Sequence, residues 1–387
     1  MLSVYLLLNT NEEYLSSAVH KPGGISSADV LRDLQRHFNP SEFFKPVLEA
    51  ERQRRREEPR NQLRRRRDKR IQVKLGHGGT LDPIATGVLI TGVGKGTKQL
   101  NNFLACTKSY EAVVLFGAAT DTYDRVGKVV SRAPYEHVTR EKVEEALKGF
   151  RGKIMQRPSI FSALKVQGKK LYEYAREGKE PPVEIAERPV EVSNLEIVEW
   201  YEPGTHSWTW PTEEAGGAEK DIATKLITKE KNIIETEQDH VSEENDLKRK
   251  APPESVHGQD EPPASKRKKG EEDPSPDSTT TTTTTTASSS PPAVKLTMTV
   301  SSGFYVRSLS HDLGLALGSN ALMSELVRTR QGDFVLAPPD RVLEYADLDA
   351  GEAVWAPKVQ RFLDEWCEKM EAQGREGGGG GGGGKSG

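Results

Sequence analysis

Cysteine is scarce: Cys106 and Cys367 are the two in 387 residues, far apart and not in a CxxC pair. A disulfide framework and a cysteine-based zinc site are therefore excluded, and the scarcity fits a reducing compartment. Long hydrophobic runs are also missing. No apolar stretch approaches the ~20 residues that span a bilayer, so no membrane partner is expected. The N-terminus, MLSVYLLLNTNEEY, has a short apolar stretch but no basic leader region and no small-residue cleavage site. Nor is it Arg/Ser-rich and acid-free, as transit peptides are. It reads as a strand or an extension, in a protein expected to be soluble and intracellular. Hydrophobic residues supply only 34% of the chain, so part of its length cannot build a core.

What is present is unevenly spread. The net charge of −3 averages two opposed blocks: Glu51–Arg70 carries 11 basic and 4 acidic residues, and Glu213–Leu247 carries 11 acidic and 4 basic. Such blocks suggest a polyanion-facing surface and a separate solvated segment. Residues 40–72, with ERQRRREEPRNQLRRRRDKR at their centre, read as an Arg-rich insertion: either a solvated charged loop or a contact to an RNA backbone, since Lys and Arg neutralise phosphates and release counterions. Residues 203–293 read as a second, disordered insertion. They are acidic and rich in Pro, Ser and Thr, with a Thr279–Thr286 run, a composition that buries too little apolar area to offset chain entropy. Within it, Lys248–Lys250 and Lys266–Lys269 are separated by a Pro-rich spacer, the pattern of a bipartite nuclear import signal. Residues 374–387 are a Gly-rich tail.

The remaining stretches alternate between strand and helix patterns. Ser27–Phe38 and Glu141–Phe150 have helical spacing, as does Val306–Leu317 beyond a turn at Ser301–Gly303. Ser109–Gly117 reads as a buried strand. Pro189–Trp200 alternates, and so do Val294, Leu296, Met298 and Val300, as half-buried strands do. No regular βαβ repeat appears, which favours an α+β fold.

The densest stretch is Gly76–Lys98, GHGGTLDPIATGVLITGVGKGTK, where glycines and a proline crowd a single carboxylate, Asp82. A phosphate-binding P-loop is excluded there, because Leu89 stands where the first glycine belongs and Gly96 follows Lys95. Two readings stay open: Asp82 as a capping residue in a structural loop, or as a carboxylate held rigidly where a substrate approaches closely. Arg307, in Gly303–Arg307 at a strand-to-helix junction, is placed to pair with a carboxylate from another loop, a pairing that favours the charged acid; a plain surface arginine is the alternative. Tyr110 begins an apolar strand, either as core or as a ring that stacks on an extruded base.

Taken together, these motifs resemble the TruB family of pseudouridine synthases, in order. Gly78–Leu89 (GGTLDPIATGVL) is similar to the family's catalytic motif, Val19–Asp29 (VHKPGGISSAD) to its opening motif, and Lys108-Ser109-Tyr110 to its K-x-Y element. Gly117–Gly127 (GAATDTYDRVG), Phe150–Gly178 and Gly303–Gly314 (GFYVRSLSHDLG) resemble three further motifs. The resemblance covers about residues 18–203 and 293–335.

The resemblance implies a catalytic domain over 1–335 with a mixed, largely antiparallel sheet and flanking helices, interrupted by the two insertions. It implies isomerisation of uridine to pseudouridine, with no metal and no cofactor, in tRNA at the T-loop uridine 55. Asp82 takes the place of the catalytic aspartate, by attack at C1′ or by abstraction of the 2′ proton. Arg307 would pair with it, Tyr110 would stack on the base, and Leu326 would supply an apolar wall. His77 would fill the space left by the extruded uridine, and Lys21 would contact the RNA backbone. Residues 336–373 read as a short C-terminal extension without the full RNA-binding PUA module of bacterial relatives, and the Arg-rich insertion is expected to replace part of that module's grip. The insertions, import-like clusters and glycine tail resemble the family's fungal branch, which acts on tRNA uridine 55. The resemblance leaves two rivals: a guide-RNA-dependent rRNA pseudouridine synthase, and a non-catalytic tRNA-binding or folding module. A monomer with no obligatory protein partner is expected, in the nucleus, the mitochondrion or the cytoplasm.

Overall fold

The computed structural model describes residues 15–59, 70–158, 165–171, 174, 182–183, 185–217, 220, 290–338 and 341–377. The import-like clusters, the Thr run, most of the glycine tail and residues 1–14 lie outside them, as does much of the Phe150–Gly178 motif.

The described residues begin with β1 (Leu15–Lys21), then α1 (Ser27–Phe38) and α2 (Lys45–Glu57). β2 (Leu75–His77), β3 (Thr86–Val93), α3 (Leu100–Ala105) and β4 (Lys108–Phe116) follow. A hairpin of β5 (Ala118–Thr120) and β6 (Val129–Arg132) precedes α4 (Arg140–Leu147) and β7 (Gly152–Gln156). Two short strands, β8 (Lys165–Val166) and β9 (Lys169–Lys170), pair with each other. Then come β10 (Arg188–Tyr201), β11 (Ala293–Val300), α5 (Val306–Ala316), β12 (Ala321–Gln331), β13 (Phe334–Val335), α6 (Tyr345–Asp349) and α7 (Glu352–Gly377).

The main sheet runs β1-β3-β12-β4-β11-β10-β7, with β2 on β3 and β13 on β12. Every pair is antiparallel except β12 with β3, where Val327 and Arg328 lie beside Thr86 and Gly87. The fold is α+β, with a mostly antiparallel sheet and flanking helices. β4 sits at its centre, buried from Ala112 to Phe116. On β11, Val294, Leu296, Met298 and Val300 point into the core as their alternation requires. α1 begins at a reciprocal cap between Ser26 and Asp29 and buries Val30, Leu34 and Phe38 at four-residue intervals.

Three boundaries differ from expectation. The N-terminal part of the Arg-rich insertion is folded: Phe44 and Leu48 seat α2 on the core, and Glu352 accepts hydrogen bonds from the backbone N–H of Glu42 and Phe43. Only residues 60–69 of that insertion lie outside the described part. The segment expected to be disordered from residue 203 is ordered through Gly217, because Trp208 and Trp210 pack on a buried cluster of Val113, Leu115, Ala118, Val129 and Leu322. The C-terminal extension is part of the core. Trp355 is fully buried against Phe38 and Phe44, at ring separations of 4.9 and 6.3 Å.

Candidate active site

The loop between β2 and β3 carries Asp82, and five of its carbonyls, those of Gly78, Gly79, Leu81, Pro83 and Ala85, are claimed by side chains from elsewhere. Lys21 Nζ donates to the carbonyls of Pro83 and Ala85 at 3.0 and 2.7 Å, and to its neighbour Pro22 at 2.9 Å. Arg328, buried on β12, donates to Val88 and Gly79. Gln331 donates to Gly78 and Phe103. Ser27, in the first turn of α1, holds Leu81 by both its N–H and its carbonyl. Gly87 is required here, because a Cβ would come within 2.2 Å of the Arg328 carbonyl oxygen. Asp82 therefore sits on a backbone fixed at five carbonyls, as a preorganised reactive group needs.

Arg307 reaches this loop from the start of α5. Gln156, buried on β7, caps the preceding residue by pairing with both the N–H and the carbonyl of Tyr305, which fixes the helix entrance. The guanidinium then spans two loops. Nε lies 2.8 Å from Asp82 Oδ2, Nη2 donates to Asp82 Oδ1 at 3.2 Å, and Nη1 donates to the carbonyl of Thr122 at 2.9 Å. A second acid, Asp124, lies 3.9 Å from Nε. Its Oδ1 accepts from Thr122 Oγ1 and from the N–H of Val126, and burial pushes its carboxyl above the usual range. The Asp82 side chain is 32% exposed, against 6% for Asp124. One acid faces outward; the other is consumed by the scaffold.

The other expected residues divide. Tyr110 and Leu326 lie on the adjacent strands β4 and β12, where Tyr110 is opposite Arg328 and Leu326 is opposite Ala112. Both belong to one buried cluster with Leu81 and Ala85, which flank Asp82. His77 closes β2, one residue before the loop. It is half-buried, and burial, with the charge of Arg328 adding to it, pushes its imidazole below the usual range and favours the neutral ring. Lys21, expected to touch the RNA backbone, does not do so from this position: it is 0% exposed, with its three ammonium donors spent on protein carbonyls. Burial brings its pKa down to about 8, against the opposing pull of Asp82.

Sequence reading gave no role to Asp124, Arg328 or Gln331. Asp124 was visible inside GAATDTYDRVG, and Arg328 stands two residues beyond Leu326 on the same face of β12. An acid that arrives with its own internal partners looks like any turn residue until the fold brings Arg307 beside it. Among the described residues, no group of His, Cys, Asp and Glu could hold a metal ion. No helix among them is long and apolar enough to cross a membrane.

A carboxylate gripped along one edge by a guanidinium and open on the other can act as a nucleophile or a base. Comparison with known proteins decides the family. Residues 65–216 match the TruB family pseudouridylate synthase N-terminal domain, and residues 307–372 match the tRNA pseudouridylate synthase B C-terminal domain. The tRNA pseudouridine synthase 4 of Schizosaccharomyces pombe is 39% identical over 82% of this chain and 79% of its own length. The chain belongs to the TruB family of pseudouridylate synthases. The tRNA pseudouridine synthase 4 of Saccharomyces cerevisiae is 31% identical over 90% of this chain and 84% of its own. Mouse pseudouridylate synthase TRUB1 is 39% identical over 48% of this chain and half of its own. The family match through residue 372 takes in α6 and most of α7, which the motifs alone had left as an extension.

Proposed function

We propose that this chain is a tRNA pseudouridine synthase that isomerises the T-loop uridine at position 55, with Asp82 as its catalytic carboxylate. The observation that carries this reading is the Asp82–Arg307 pair: an acid fixed at its backbone, held along one edge at 2.8 and 3.2 Å, and open on the other. The names of its relatives supply tRNA as the substrate class.

The isomerisation breaks the N1–C1′ bond and forms a C5–C1′ bond, with the C5 proton lost and a proton gained at N1. It is redox-neutral and needs no co-reactant. Asp82 serves C1′ as a nucleophile or the 2′ proton as a base. Tyr110 and Leu326 enclose the base once it leaves its stack, at a cost of a few kcal/mol that a loop substrate lowers. His77, neutral and at the lip of the loop, takes the space the uridine vacates. The chain acts as a monomer without a guide RNA or an obligatory protein partner, and its basic clusters direct it to the nucleus.

The test is pseudouridine formation on an unmodified tRNA transcript by the purified chain. Wild type modifies uridine 55, and Asp82→Asn binds the transcript but leaves it unmodified. Modification by Asp82→Asn at the wild-type rate would remove the assignment.

A further inference from the structure

The loop that receives Arg307 from the far side, Asp121–Gly127, lies at the tip of the β5–β6 hairpin. Its backbone is bent out of the ordinary range at Tyr123, where φ is +63°. Such a conformation in a non-glycine residue persists only where its surroundings over-determine it. On the inside, Tyr123 stacks on His311 of α5 at 4.0 Å, and Met323 of β12 exchanges backbone hydrogen bonds with Tyr123 and Arg125. On the outside, the ordered segment beyond β10 lies along the hairpin as a strap.

The strap is attached at its backbone and at its side chains. The N–H of Val129 donates to the Glu213 carbonyl at 2.8 Å, and the N–H of Ala215 donates back to Val129 at 3.0 Å. Trp210 Nε1 donates to the Phe116 carbonyl at 2.8 Å, and Arg132 lies 5.0 Å over its ring while pairing with Glu214 at 2.9 Å. Trp208 Nε1 donates to Glu325 Oε1 at 2.9 Å, the oxygen that Arg125 of the loop also faces, at 4.0 Å. Gly117, where the hairpin begins, leaves room for this packing; a Cβ there would come within 2.7 Å of the Trp210 ring.

We propose that this strap is a positioning element for the catalytic pair: Trp210 fixes the base of the β5–β6 hairpin, Trp208 holds the Glu325 that Arg125 of the Asp121–Gly127 loop faces, and the loop so held sets Arg307 and, through it, Asp82. The inference rests on the assignment of Asp82 and Arg307 given above. Neither tryptophan touches the reacting atoms. Their removal shifts the loop by fractions of an ångström, and misplacement on that scale is paid in the chemical step rather than in binding.

The experiment is single-turnover pseudouridine formation by the full chain at 25 °C, with tRNA affinity and Tm measured on the same preparations. Trp208→Ala and Trp210→Ala are expected to lower the rate about tenfold, which corresponds to ~1.4 kcal/mol in the barrier, with tRNA affinity unchanged. Trp208→Phe and Trp210→Phe keep most of the ring packing and lose only the N–H; each is expected to lose about threefold. They carry the test if the alanine variants do not fold. A wild-type rate in the folded variants, with only Tm reduced, would overturn the proposal, as would a loss confined to tRNA affinity. Asp82→Asn in the same assay separates the two levels. If Asp82→Asn is active, the assignment beneath this inference fails; if it is inactive while the tryptophan variants keep the full rate, the strap alone is refuted.

Discussion

The loop around Asp82 and the loop around Asp124 face the same guanidinium, yet they are immobilised by different means. The Asp82 loop is held from within the protein by buried cationic and amide side chains, Lys21, Arg328 and Gln331, each donating to its carbonyls. Its own carboxylate is left out of that network apart from Arg307. The Asp124 loop instead spends its carboxylate on itself, on Thr122 and Val126. Where outside donors do the fixing, the acid stays available; where the acid does the fixing, it does not. That difference, more than proximity to Arg307, distinguishes the carboxylate proposed to meet substrate from the one bound into the scaffold.

The largest effect that tests this contrast is Asp82→Asn, which removes the available acid and keeps its shape. A fall of at least about 10³-fold in single-turnover rate is expected, with tRNA binding retained. Arg307→Lys comes next. A lysine keeps the charge but loses the planar fork that serves both loops, so a loss of about 10²-fold is expected in the same assay. Lys21→Met removes a donor from two loop carbonyls, of which Pro83 keeps the N–H of Gly24, and a loss of about tenfold follows if those bonds set the position of Asp82.

The same variant has a pH signature. Lys21 in the folded chain titrates near 8, below its ordinary value of 10.5, so between those limits the unfolded state holds more protons than the folded one. The stability of the wild type therefore gains from this group as pH rises from 8 to 10.5, and loses that gain as pH falls through 8. Denaturant unfolding across that range should show an advantage of wild type over Lys21→Met that widens with pH, by up to about 3 kcal/mol. A constant difference would mean that the lysine does not titrate there. Trp355→Ala, in the aromatic cluster beneath α2, is the control with the smallest effect on rate. It should cost about 3–5 kcal/mol of stability by denaturant unfolding and leave the single-turnover rate of the folded protein unchanged.

Much of this architecture was legible in the sequence. The period of Val30, Leu34 and Phe38 gives α1, and the alternation from Val294 to Val300 gives β11, because one buried face imposes one repeat. The Asp82–Arg307 pairing was expected from the family resemblance, whereas the residues alone left a capping role for Asp82 and a surface role for Arg307 open. What local reading missed depends on distant neighbours. Charge density around Glu51 and Glu213 suggested solvated chain, whereas a few apolar anchors, Phe44 with Leu48 and Trp208 with Trp210, suffice to fold the adjoining residues. The family resemblance implied an RNA-backbone contact for Lys21. Its true partners are carbonyls more than sixty residues away on the Asp82 loop.

The register of β10 and β11 has one further consequence. Tyr201 pairs with Ala293, so the 91 residues between them leave and re-enter the sheet at adjacent points. Closing a loop of that size costs only about 3 kcal/mol more than closing a tight turn, so its length is free to drift while the pairing is not. Asp82 lies before this joint and Arg307 after it. A chain severed within the insertion would divide into two fragments, each carrying one partner of the ion pair. Pseudouridine formation would then report their reunion, as a split enzyme reports the meeting of its halves.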